Sequence, residues 1–259
     1  MPVRRLLFLG DIFGEPGMHA VEQRLARLVG NTGAHLVIAN GENSAAGLGI
    51  NASGAQRLLR VGVQVITTGN HVWHRRELLQ QIEEFPTLLR PANLPPGNPG
   101  RGWCVADADG APVAVVCLVG RVFMNPVDCP FQTADAVLAE VPEEVRMVLV
   151  DFHAEATSEK QALGRYLDGR VSAVLGTHTH VATADARVLP GGTGYITDVG
   201  MTGPRDSVIG MPTERAVRRF LTQMPQRPGV GDGPAPICGA VVEIETSSGK
   251  CRRVERIEG

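Results

Sequence analysis

Short apolar runs alternate with amphipathic stretches over the first ninety residues. Leu6 to Gly10 is an unbroken apolar run, which predicts a strand buried on both faces. Met18 to Leu28 then places Val21, Leu25 and Leu28 at helical spacing. Leu36 to Asn40 predicts a second strand, followed by a helix around Ser53 to Val61. Val63 to Thr67 predicts a third, followed by a helix around Arg75 to Glu83. Three strand–loop–helix units in succession predict a largely parallel α/β sheet. The second half is richer in strands. Val113 to Val119, Met147 to Val150 and Val171 to Leu175 read as central ones. Arg187 to Leu189, Tyr195 to Asp198 and Ala240 to Thr246 read as later ones. Residues 186–198 and 238–257 predict hairpins through Pro190-Gly191-Gly192 and Ser247-Ser248-Gly249. Pro91 to Gly102 and Gln223 to Pro236 fit no element, and the latter is expected to be a surface loop or lid. No repeat or boundary divides the chain, so a single domain over 1–259 is expected.

Composition narrows the class. At 259 residues and 43% hydrophobic, the chain is long enough for a sizeable core. A net charge of −2 carries no footprint of a dedicated duplex-binding protein. Five cysteines are scattered without a C-x-x-C pair, which argues against a secreted disulfide framework. The opening Met-Pro-Val-Arg-Arg leads into only a short apolar run, too brief for a signal peptide. No stretch approaches the ~18 apolar residues of a membrane span. A cytoplasmic protein with no membrane partner is expected.

Polar residues that chemistry requires cluster where the apolar strands end. The first strand runs into Gly10-Asp11, the second into Asn40-Gly41-Glu42-Asn43, and the third into Gly69-Asn70-His71. Later strands run into Asp151-Phe152-His153 and Gly176-Thr177-His178-Thr179-His180. Each piece alone has a bland reading: a single Asp after a strand is more often a turn or helix cap. Together they sit where ligands bind in open α/β sheets, outside the carboxyl ends of the strands. Four of the seven histidines occupy these positions. Mixed Asp, Glu, Asn and His ligands without thiolate suit manganese, iron or zinc rather than a structural zinc knot. The set also exceeds what one ion needs, which predicts two ions sharing a carboxylate.

These motifs, in this order, resemble the calcineurin-like metallophosphoesterase superfamily, whose pattern is an Asp motif, G-D-x-x-D, G-N-H, a later His and G-H-x-H. Two departures stand out. Phe13 occupies the His position of the usual D-x-H, and Glu42 replaces the usual bridging Asp, with Asn43 beside it. These, with Gly200-Met201-Thr202-Gly203-Pro204 and Asp206-Ser207-Val208-Ile209-Gly210-Met211, resemble the bacterial YmdB-type subgroup of cyclic-nucleotide phosphodiesterases. The resemblance implies a four-layer α/β/β/α sandwich with two mixed sheets. It implies hydrolysis of 2′,3′- or 3′,5′-cyclic AMP by a metal-activated water, with two divalent ions, iron or manganese ahead of zinc. Carried over by position, one ion would use Asp11, Glu42, Asn43 and His180, and the other Glu42, Asn70, His153 and His178. His71 would stand beside the site as proton donor or phosphate contact.

Less specific candidates remain. Thr177 or Thr179 would orient neighbouring imidazoles, although a strand threonine often reflects β propensity alone. Arg205 and Asp206 are candidates for lining a phosphate pocket, or an ordinary surface pair. Phe123 and Met124 offer a face for a base but fit a core equally well. The substrate expected is a small nucleotide. Phosphomonoesters and RNA 3′ ends are alternatives, as is a nucleotide-sensing protein with incidental hydrolysis. A homo-oligomer is the base-rate expectation.

Overall fold

The computed structural model describes residues 2–259. Its first half runs β1 (Val3–Leu9), α1 (Gly14–Thr32), β2 (Leu36–Asn40), α2 (Ala52–Arg60), β3 (Val65–Thr67), α3 (Leu78–Gln81) and β4 (Leu88–Leu89). β1 to β4 are parallel neighbours, as strand–helix repetition requires. Gly33 ends α1 in the left-handed conformation, and the Asn51 side chain caps α2 by accepting the Gly54 N–H at 2.9 Å. The second half runs β5 (Trp103–Asp107), β6 (Pro112–Val119), α4 (Pro130–Glu140), β7 (Met147–His153), α5 (Thr157–Tyr166), β8 (Ala173–Thr177), β9 (Arg187–Val188) and β10 (Gly194–Ile196). It closes with α6 (Thr213–Thr222), β11 (Cys238–Glu245) and β12 (Cys251–Glu258).

Two six-stranded mixed sheets result, in the orders β12-β11-β1-β2-β3-β4 and β5-β6-β7-β8-β10-β9. Strand parity assigns every side chain to a layer. Leu6, Phe8, Leu36, Ile38 and Val65 face Val113, Val115, Met147, Leu149 and Leu175 in one core between the sheets. The opposite positions of the first sheet, Leu7, Leu9 and Val37, pack under Val21, Leu25 and Leu58 of α1 and α2. Ala114, Val116 and Val148 of the second sheet pack under Ala134, Val137 and Leu163 of α4 and α5. Four layers follow, α/β/β/α.

The same parity brings polar groups into the inter-sheet layer at the carboxyl ends of the strands. Asn40 continues the inward series of Leu36 and Ile38, and Thr67 that of Val65. Asp151 and His153 continue that of Met147 and Leu149, and Thr177 that of Ala173 and Leu175. Register pairs Asn40 with Thr67 and His153 with Thr177.

Both expected hairpins form, β9–β10 and β11–β12. The third helix is shorter than its periodicity predicts, with a single 3₁₀ turn at Ile82–Glu84 after α3. α4, α5 and α6 were not anticipated. No helix among the described residues is long and apolar enough to cross a membrane.

A candidate metal centre at the strand ends

The strand ends converge. Asp11, Glu42 and His153 are wholly buried, with Asn43 nearly so. His153 is the hub: its Nε2 lies 3.0 Å from Glu42 Oε1, 3.1 Å from Asn70 Oδ1 and 3.0 Å from His178 Nδ1. His180 Nε2 lies 3.2 Å from Asn43 Nδ2 and 3.8 Å from Asp11 Oδ1. His71 Nδ1 lies 3.2 Å from Asn43 Oδ1, and its backbone N–H donates to Glu42 Oε2 at 3.1 Å. Gly69 permits this approach, because a Cβ there would stand 2.2 Å from the His153 ring and 2.4 Å from Glu42 Oε2.

The ring protons can be assigned from their partners. Thr177 Oγ1 donates to Asp151 at 2.8 Å and so accepts from His153 Nδ1–H at 2.9 Å. His153 Nε2 is therefore a bare lone pair. His178 Nε2–H points to Glu155 Oε2 at 3.1 Å, and His180 Nδ1–H donates to the Ile209 carbonyl at 2.9 Å. That leaves His178 Nδ1 and His180 Nε2 facing inward as lone pairs. Burial holds His153 down to about 4, and burial with the adjacent His153 does the same to His178. Both are neutral imidazoles at neutral pH.

Glu42 Oε1 thus meets Nε2 of a histidine without a proton to share, and the close contact between them is not an ion pair. Glu42 Oε1 and Asp11 Oδ1 are buried and accept no hydrogen bond among the described residues, with the His71 ring 3.3 Å from Glu42 Oε1. Burial raises both carboxyls above their ordinary range. Orphaned buried carboxylate oxygens facing neutral nitrogen lone pairs are costly unless something positive lies among them. Glu42, His153 and His178 bring one ligand atom each within 4.8 Å of one another. A divalent cation fits this donor set.

A second layer fixes the first. Asp151 accepts from Asn40 at 2.9 Å as well as from Thr177 and Thr67, and burial pushes it up to about 7. His178 and His180 hold left-handed backbone, at φ 99° and 65°, which is disfavoured for residues with a Cβ. The loop is pinned at three points. Asp11 Oδ2 accepts the His178 N–H at 3.0 Å. Asp198 Oδ2 accepts from Thr179 N at 3.1 Å and Thr179 Oγ1 at 2.7 Å. Ile209 takes His180 through its carbonyl. Asp198 is itself neutralised by the buried Lys160 ammonium at 2.7 Å. Of the two threonines expected to orient imidazoles, Thr177 bonds a ring directly, whereas Thr179 donates to Asp198 and bonds no ring.

Asp11, Glu42, Asn43, Asn70, His71, His153, His178 and His180 are brought together. Arg205 and Asp206 are not. Arg205 pairs with Glu258 on β12, and neither residue is among those lining the adjoining cavity of about 380 Å³. Phe13, at the position that departs from D-x-H, packs edge-on against His180 with ring centroids 5.4 Å apart. The cavity is lined by Glu42, His71, His178 and His180 on the polar side, and also by Arg219, Gln226 and Pro228. The unassigned 223–236 stretch therefore contributes to its wall. Sequence reasoning missed Glu155, Lys160, Asp198 and Arg219. Asp151 alone carried a signal, as a polar residue on the inward parity of a buried strand.

The chain is similar to known proteins over nearly its whole length. The family model for YmdB-like protein matches residues 7–257. The 2′,3′-cyclic-nucleotide 2′-phosphodiesterase of Bacillus subtilis is 47% identical, over 98% of this chain and 96% of its own. A crystal structure of a novel phosphatase from Mycoplasma pneumoniae superposes with a TM-score of 0.94 at 34% identity, covering 100% of this chain and 94% of that one. A hypothetical protein from Thermus thermophilus superposes with a TM-score of 0.90 at 43% identity, over 98% of both chains.

Proposed function

This chain belongs to the YmdB-like protein family, and from that premise we propose that it is a two-metal phosphodiesterase acting on 2′,3′-cyclic nucleotides. One observation carries the reading: proton-free acceptors from the ends of β3, β7 and β8 converge on Glu42 Oε1 and Asp11 Oδ1, neither of which accepts a hydrogen bond among the described residues. The Bacillus subtilis relative's activity supports the substrate class. Glu42, Asn70, His153 and His178 would hold one ion, and Asp11, Glu42, Asn43 and His180 the other. Bound there, such ions supply Lewis-acid activation of water and neutralise phosphate oxygens. Iron or manganese suits the donors, with zinc as the alternative.

The chain's own residues do the remaining work. His71 is half-buried beside the ligands, and burial lowers its pKa. In its imidazolium form, which the nearby Glu42 carboxylate favours, Nδ1–H donates to Asn43 Oδ1 and Nε2–H is the proton given to the departing ribose oxygen. Opening the cyclic diester at that oxygen leaves a phosphomonoester on the neighbouring one.

The test is turnover of 2′,3′-cyclic AMP, 3′,5′-cyclic AMP and an aryl phosphodiester by wild type, Glu42→Ala and His71→Ala, with metal content measured in parallel. We expect Glu42→Ala to lose both metal and turnover. His71→Ala should keep its metals and lose about 10²–10⁴-fold in turnover. Metals lost from His71→Ala would make it a ligand instead. Metal-loaded wild type that turns over no phosphate ester would defeat the enzymatic reading.

A further inference from the structure

Hydrolysis at the metal centre uses one side of the cavity. The remaining lining includes Leu48, Ile209 and Met211, with Arg219 and Gln226 as polar side chains. Ile209 is β-branched yet occupies left-handed backbone at φ 49°, a conformation that sterics strongly disfavour for such a residue. The residue is 50% exposed rather than spent on the core. Its carbonyl holds His180 Nδ1 at 2.9 Å, so the strained residue is fixed relative to the metal centre. Strain that persists beside a site marks a position held for function. Leu48 is fixed as well. Arg75 Nε donates to the Leu48 carbonyl at 2.9 Å, and its guanidinium also donates to Ala45. The Arg219 guanidinium, in contrast, has no hydrogen-bond or ion-pair partner among the described residues.

We propose that Leu48, Ile209, Met211 and Arg219 form a nucleobase subsite, which selects nucleoside cyclic phosphates over other phosphate diesters. The proposal rests on the phosphodiesterase reading and adds the part of the substrate that the metals do not touch. Leu48 and Ile209 offer branched apolar surface to a flat ring, and a thioether such as that of Met211 makes favourable contacts with aromatic rings. A planar guanidinium stacks on a heteroaromatic ring or donates to its carbonyl and ring nitrogens. An unpaired Arg would also suit phosphate, so the test must separate base from phosphate.

Two substrates do that: adenosine 2′,3′-cyclic phosphate and its base-free counterpart, 1-O-methylribose 2′,3′-cyclic phosphate. Both carry the same diester. The metal-loaded wild type, Ile209→Ala and Arg219→Ala are compared by kcat/KM on each, with thermal unfolding checked for every variant. Wild type should favour the adenosine compound by roughly tenfold or more, the scale of one base contact. Each substitution should cost roughly tenfold on the adenosine compound, mainly through KM, and at least about fivefold less on the base-free one. Equal losses on both substrates would overturn the proposal and assign Arg219 to phosphate. Equal wild-type efficiency on both would overturn it while leaving the phosphodiesterase reading intact. No wild-type turnover of either would overturn that reading and the subsite with it.

Discussion

Asp198 and Asp11 are both wholly buried carboxylates, and both bond the loop that carries His178 and His180. Their surroundings differ. Asp198 Oδ2 accepts from Lys160 Nζ, Thr179 N and Thr179 Oγ1, and Oδ1 accepts from Gly200 N at 2.8 Å. Every oxygen is used and the charge is balanced within the protein. Asp11 spends one oxygen on His178 N, and Glu42 spends one on His71 N. The other oxygen of each accepts no hydrogen bond among the described residues, although the His71 ring lies 3.3 Å from Glu42 Oε1. Burial alone therefore does not mark a functional acid. Burial without a donor or counter-charge does, because the cost of desolvation is left for something outside the chain to offset.

The comparison can be broken from either side. Lys160→Met leaves Asp198 charged and uncompensated, and removing one partner of a buried pair costs about 3–5 kcal/mol. That loss should appear as a lower urea midpoint with or without metal. If Lys160→Met were neutral, the pair would not be what holds this loop. Glu42→Gln should do the opposite in metal-free protein. It removes an unsatisfied buried charge, so we expect a gain of about 1–3 kcal/mol in urea unfolding, together with loss of metal uptake. Destabilisation instead would mean that Glu42 Oε1 has a partner after all. Thr177→Val is subtler. It leaves every proposed ligand in place but removes the acceptor that fixes the His153 tautomer. Metal affinity, measured by calorimetry, should fall about 10–100-fold, alongside a metal-free destabilisation of about 1–3 kcal/mol from the His153 Nδ1–H left without an acceptor.

The same contrast explains what was legible in the sequence. Asp11, Glu42, Asn70, His153, His178 and His180 could be read because each follows an apolar run, and strand ends are where such sheets place ligands. The two-sheet layering, implied by the resemblance, is also open to the strand pattern, and strand alternation supports it position by position. Lys160–Asp198 left no trace, since its members lie 38 residues apart and Lys160 sits in a helix window that reads as polar. α5 buries Glu159 and Lys160 along with Leu163, so its buried face is partly charged and weakens the apolar periodicity that would announce a helix. α6 buries only Ala216 and exposes Phe220 and Leu221, so its apolar face does not mark the core. Arg205 and Asp206 were drawn in by their place beside a family-like motif. A neighbouring carboxylate, Glu258, takes Arg205 away from the cavity.

The most direct measurement is a metal titration of chelator-stripped wild type, with manganese or iron followed by calorimetry and thermal unfolding. The orphaned oxygens predict uptake of about two ions per chain. They also predict a stability gain on the order of 2.7 kcal/mol at a hundredfold excess over the dissociation constant. Protein that takes up no metal, and melts at the same temperature with or without it, would contradict the account at its centre.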